Sequence, residues 1–228
     1  VRDSVEIADD DIYFPDYDAV VAIHSGPGGE SSGNSNDIWS AHWPTLTIGT
    51  DDEDENGNDH FVDGISQVPE YQLSNGERNP LGVWCHEFGH ELGLPDYYDT
   101  DGSSEGVGNW AVMAAGSWGN NGETPVYFSA YSRYWLGWDE PILVQGDIAN
   151  LVIEPVSEGG KIYKLPIPGN WTDSEQYFLL ENRQQTKYDT YLPGEGLLIW
   201  HIDEEIMFSK WNSNPVNNDE EHKGMDLE

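Results

Sequence analysis

The chain has 228 residues, with nine Lys and Arg against 43 Asp and Glu, for a formal charge of −34. Such a surface repels nucleic acid and anionic membranes, which disfavours both as partners, and the length suffices for one large domain or two small ones. Apolar runs such as residues 19–23 and 197–200 are far too short to cross a bilayer, and the single cysteine, Cys85, precludes an intrachain disulfide. Adaptation to salt, calcium binding and plain solubility all account for the acidity, and a mixture of the first two is favoured. The opening Val1-Arg2-Asp3 does not read as a signal peptide and both ends read as mid-phrase, so a trimmed piece of a longer precursor is expected, with any targeting segment upstream.

Residues 17–24 hold the run Ala19-Val20-Val21-Ala22-Ile23, expected as a central strand. Residues 26–36, rich in Gly, Ser and Asn, are a loop. Residues 45–48, after Pro44, suit a short strand. The acidic loop 51–59 contains Asp52-x-Asp54-x-Asn56-Gly57, and with Asp63 it fits positions 1, 3, 5, 6 and 12 of a calcium loop. Flanking helices are not evident, and Asp59 stands where an apolar residue is usual, so a solvated acidic loop competes with calcium. Residues 61–68 read as a strand at a sheet edge.

Residues 79–92 read as a helix. Leu81, Cys85, Phe88 and Leu92 fall at i, i+4, i+7 and i+11, one apolar stripe expected to face the core and to bury Cys85 as an inert thiol. The same helix opens the run His86-Glu87-Phe88-Gly89-His90-Glu91-Leu92-Gly93-Leu94-Pro95-Asp96. Residues four apart share a helix face, so His86 and His90 can reach one metal ion, with Glu87 beside it as general base. Gly93 permits the left-handed turn that ends a helix, and Pro95 discourages its resumption. Asp96 then arrives as third ligand, leaving a fourth position for water and substrate. Asp99, Asp101 and Glu105 form a second calcium candidate, and Asp99 competes with Asp96 for the zinc.

Residues 93–124 are irregular yet carry Trp110, Met113 and Trp118, which points to a packed functional loop. Residues 125–138 fit an amphipathic helix through Phe128, Tyr131 and Trp135. Beyond Pro141 the runs 151–153, 161–165, 177–180 and 196–202 are β-rich, and a boundary is placed near Asp139, giving domains 1–138 and 139–228. His201 and Asp203 share a strand face, where a structural pair outweighs a second metal site. Glu181 and Arg183 read as structural contacts. His24, His42 and His60 have no partner spacing.

Four segments together resemble the immune inhibitor A family of secreted zinc metallopeptidases, which are metzincin-like. They are residues 82–90 with 93–99, residues 106–113, residues 130–138, and residues 177–184 with 196–203. The resemblance implies an α+β fold: a mixed sheet, the zinc-motif helix, a Met-turn and a following helix, with a β-rich C-terminal subdomain truncated at its end. It implies His86, His90 and Asp96 as zinc ligands, Glu87 as general base, and Met113 as the methionine of the turn beneath the zinc. Where some relatives of the wider clan place a tyrosine, this chain has Ala115. It also implies a propeptide in the precursor and protein or peptide substrates. The expected activity is a secreted endopeptidase using a Glu-activated zinc-bound water, with structural Ca²⁺ beside the Zn²⁺. The alternative is a calcium-dependent extracellular adhesion module with a relict zinc site.

Self-repulsion at −34 makes the folded state dependent on ionic strength or divalent cations. The melting temperature rises between low salt with chelator and high salt with calcium. An unchanged value overturns that expectation.

Overall fold

The computed structural model describes residues 1–72, 81–167 and 175–228 and is mixed α+β. It divides into two compact units, Val1–Gly93 and Leu94–Glu228.

The first unit is organised by a long hairpin. After helix α1 (Arg2–Ala8), strand β1 (Val21–Pro27) and a short helical turn α2 (Gly29–Ser32) come β2 (Ala41–Glu53) and β3 (Asp59–Tyr71). β2 and β3 pair antiparallel, β1 pairs parallel with β3, and the sheet order is β1-β3-β2. The sequence expectation is therefore inverted: the apolar run at 19–23 feeds an edge strand, and the stretch at 61–68 is central. Continuous apolarity misleads here because β1 is covered on one face only, with Ile23 57% exposed. β3 instead buries Val62, Ile65, Ser66, Val68 and Pro69. Val5, Phe14, Ile48, Val62 and Ile65 form the core beneath α1. Each such side chain contributes about 1.5–3 kcal/mol by leaving water.

Helix α3 (Leu81–Glu91) packs on β3 and β2. Residues 79 and 80 of the expected helix lie outside the described residues. Its buried face is not the expected stripe. Gly82, Val83, Glu87 and Gly89 are buried, whereas Phe88 is 43% exposed and Cys85 only half-buried, its thiol pKa raised by partial burial. The residues that meet the sheet include Trp84 and Glu91, which are not on that stripe, and the buried Gly82 and Gly89 carry no apolar side chain, so apolar periodicity does not register this face. Ser66 Oγ on β3 donates to the Glu87 carbonyl at 3.1 Å, and Trp84 Nε1 donates to the Pro69 carbonyl at 2.9 Å.

In the second unit, α4 (Ala130–Trp135) is shorter than the expected 125–138, because Ser129 starts it as a cap that accepts the Ser132 N–H. A five-stranded sheet follows in the order β4 (Ile142–Leu143), β5 (Tyr163–Pro166), β6 (Gln176–Arg183), β7 (Gly196–Asp203), β8 (Met225–Leu227). Helix α5 (Glu204–Lys210), capped by Asp203, lies between β7 and β8 in the chain. Residues 151–153 are not a strand: the Ile153 carbonyl is taken by the Asn182 side chain instead. No helix of the described residues is long and apolar enough to cross a membrane.

Where α4 meets β6 and β7, charge is fully buried. Arg183 donates through Nε and Nη2 to both oxygens of Asp189, at 2.6 and 2.5 Å. Arg133 donates twice to Glu181 Oε2 at 3.1 Å, while Glu181 Oε1 accepts from Trp200 Nε1 at 2.8 Å. Burial alone pushes the Glu181 pKa up, but Arg183, Arg133 and these hydrogen bonds outweigh it and hold the pKa below its ordinary 4.5. Glu181 therefore stabilises the fold fully above that ordinary value, and the contribution is lost as pH falls through the lowered one. Glu181→Gln removes the carboxylate that Arg133 and Arg183 share, while Asp139 and Asp189 still pair them, so it costs about 1–3 kcal/mol at neutral pH. Denaturant titrations from neutral to acid pH show the gap between variant and parent narrowing; a constant gap contradicts this.

Candidate metal centre

His86 and His90 stand one turn apart on α3, with ring centroids 4.8 Å apart and edge-on. The helix closes through Leu92 N–H to the Phe88 carbonyl and Gly93 N–H to the His90 carbonyl, and Gly93 takes φ +91°, a left-handed conformation that glycine adopts without penalty. The chain then runs through Pro95 to Asp96. One ligand atom from each of His86, His90 and Asp96 lies within 4.8 Å of the others, and among the described residues this is the one group of three or more His, Cys, Asp or Glu so placed. Ligand atoms around a tetrahedral ion with bonds of about 2.1 Å stand roughly 3.4 Å apart, so small side-chain rotations bring this set onto one ion. Two imidazoles and a carboxylate are a donor set that zinc accepts. Glu87, next to His86, is 7% exposed.

His42, which has no sequence signal, is part of these surroundings. Its ring stacks on His90 at 6.1 Å and 23°, and Nδ1 lies 2.7 Å from Glu91 Oε2 and 3.1 Å from Ser66 Oγ. Strand register opposes His42 to Ser66, and no local spacing encodes that pairing.

The loop after Asp96 is held by its own unit. Tyr97 N–H donates to the carbonyl of the fully buried Met113 at 2.7 Å, and the Tyr97 carbonyl accepts from Val107 N–H at 3.1 Å and Asn217 Nδ2 at 2.8 Å. Asp96 N–H donates to Asn214 Oδ1 at 2.7 Å, and Asn214 Nδ2 donates to Asp96 Oδ2. Asp99 is committed elsewhere. Its Oδ2 accepts from Ser103 Oγ, Ser104 N and Ser104 Oγ, and its Oδ1 from Asp101 N. The Ser103 hydroxyl, foremost among these donors, holds the Asp99 carboxyl well below the usual range. Asp101 and Glu105 are exposed and form no group with it.

The other calcium candidate is not assembled. Asp52 lies near the end of β2 with its Oδ2 accepting Phe14 N–H at 2.8 Å, and Asp54 Oδ1 accepts the N–H groups of Asn56 and Asn58 inside the hairpin turn. Asp63 pairs opposite Thr47, five residues back along β2, so about 16 Å of strand separates it from the level of Asp52. The loop spacing was right for a helix–loop–helix, and a hairpin carries the same residues apart.

A sequence model of the immune inhibitor A peptidase M6 catalytic domain matches residues 8–139. The chain belongs to the immune inhibitor A peptidase family. Immune inhibitor A of Bacillus thuringiensis subsp. alesti is 35% identical over 145 residues, 59% of this chain and 20% of that protein. Pre-pro-metalloprotease PrtV of Vibrio cholerae serotype O1 (strain M66-2) is 31% identical over 136 residues, 52% of this chain and 14% of that protein. The matched part is thus a fifth or less of those relatives' length.

Within this family member the loop of Asp96 also depends on Gly106. With φ +58°, a Cβ there would stand 2.4 Å from the Tyr97 carbonyl oxygen and 2.8 Å from Asp99 N. Gly106→Ala combines backbone strain with that collision and costs about 2 kcal/mol or more. That lowers the melting temperature by roughly 4–8 °C; an unshifted thermal transition contradicts it.

Proposed function

We propose that the chain is the catalytic part of a secreted zinc-dependent endopeptidase that hydrolyses peptide bonds in proteins. The observation that carries this reading is the convergence of His86, His90 and Asp96 in a member of a peptidase family, with the buried Glu87 next to His86 in sequence. The two imidazoles and the Asp96 carboxylate would hold the ion. Bound there, zinc supplies a Lewis acid that polarises a carbonyl and makes water acidic near neutral pH.

Glu87 takes the proton of the attacking water and later delivers it to the leaving amine, so one carboxylate serves as base and then acid. Its burial beside His86 keeps the carboxylate out of bulk solvent, where proton transfer is better directed. Asp96 offsets more of the metal's charge than a third imidazole would, which softens the acidity gained.

Met113 is proposed as the methionine of the family's turn; its full burial and its carbonyl bond to Tyr97 support that. A catalytic domain through residue 138 followed by a β-rich subdomain is supported by the family match ending at 139. PrtV is named a pre-pro-metalloprotease, and a similarly processed, exported precursor is proposed for this chain.

Glu87→Gln retains zinc at the parental stoichiometry while casein cleavage falls about 10²–10⁴-fold. Undiminished cleavage by that variant rules out the assignment.

A further inference from the structure

Three asparagines between residues 214 and 218 hold the loop that delivers Asp96. Asn218 Oδ1 accepts both the Thr100 N–H and its hydroxyl at 3.0 Å. Asn217, fully buried, donates Nδ2 to the Tyr97 carbonyl at 2.8 Å and accepts Met225 N–H at 3.0 Å. Asn214 alone touches the metal-ligating residue, and it does so twice: Oδ1 accepts the Asp96 N–H at 2.7 Å, and Nδ2 donates to the Asp96 carboxylate oxygen Oδ2.

Only a carboxamide makes both bonds from one planar group, because it pairs an acceptor with a donor. The chemistry also fixes the orientation of the amide. A backbone N–H requires oxygen opposite it and a carboxylate requires N–H, so a flipped amide loses both bonds.

Asn214 is itself held in place. Its φ is +72°, a left-handed conformation that asparagine tolerates, and its N–H donates to the Lys210 carbonyl at 2.8 Å. Trp211, at the start of the same turn, packs on Trp135 at 4.4 Å and on Tyr131 at 6.3 Å. The amide therefore projects from a turn anchored on α4.

We propose that Asn214 is a positioning residue of the metal centre. It fixes the plane of the Asp96 carboxylate against the Asp96 backbone, so the direction in which the ligand atom is presented is set before the ion arrives. The segment 214–218 lies outside the stretch matched by the family's catalytic domain, which makes the C-terminal part of the chain a working component of that domain's metal site. The inference rests on Asp96 being a ligand.

The test measures zinc affinity by chelator competition, and the visible absorption of the Co²⁺-substituted protein, for four variants of the full chain. Asn214→Asp keeps the shape and the left-handed backbone but places an acceptor against the carboxylate. Asn214→Gly keeps the backbone and deletes the amide, so at least one variant folds. Both weaken zinc binding about 10–100-fold, the range for lost ligand support, and alter the Co²⁺ spectrum. Asn218→Ala, which loosens the same loop without touching Asp96, stays within twofold of the parent. Asp96→Ala abolishes tight binding. If Asp96→Ala binds zinc as the parent does, the ligand assignment itself fails. If Asp96→Ala loses zinc while the Asn214 variants keep it, or if Asn218→Ala loses as much as they do, the positioning role is overturned and the ligand assignment stands.

Discussion

The proposed metal site, with two ligands on a helix and the third six residues on, obliges the chain to leave the helix at once. Had α3 continued, Asp96 would lie about 9 Å farther along the axis than His90 and on a different face. Gly93 provides the break, with its N–H satisfied by the His90 carbonyl and its φ at +91°. The rest of the loop follows from that break. Chain that has left a helix has no ladder of its own, yet Leu94, Pro95, Asp96, Tyr97 and Asp99 are buried, and buried backbone polar groups need partners. Met113, Val107, Asn214 and Asn217 supply them from elsewhere in the second unit. The long irregular stretch after the helix is therefore ordered by side chains and turns rather than by secondary structure.

The helix end of the motif is held differently. There the sheet does the positioning: β3 is central, Ser66 on it reaches the Glu87 carbonyl, and His42 on β2 meets His90 and Glu91. Rigid strands and a short stiff helix fix two imidazoles well, since each turn of helix carries the side chains in a set direction. Ligands on a regular element need few outside partners, whereas a ligand on a loop needs many.

That contrast explains what the sequence made legible. The motif, the helix end at Gly93 and the β-rich texture after residue 141 are local, and they read directly from spacing and residue type. The helix face was misread because the residues it buries include Gly82, Glu87 and Gly89, which leave no apolar signature. Edge and central strands were exchanged because a strand's place depends on its partners, not on its own run of Val and Ile. Asp63 fitted a calcium spacing that only a helix–loop–helix would close. His42 and Asn214 were invisible for the same reason: strand register brings one to His90, and a contact 118 residues away in sequence brings the other to Asp96.

The treatment of buried acid then follows a pattern. Where Glu181 and Asp189 serve only the fold, the chain commits its scarce arginines, and full ion pairs neutralise them. Asp99, which organises a loop, is held by the hydroxyls and N–H groups of Ser103, Ser104 and Asp101. Asp96 receives the amide of Asn214, a donor with no net charge. A guanidinium in that place would hold the carboxylate more strongly, but it would also set a positive charge against an incoming cation at close range, where repulsion is costly. An amide orients the carboxylate without competing for it. For Asp96 as the proposed ligand, which must be fixed in direction and still attract a metal, a neutral donor is the arrangement that satisfies both demands.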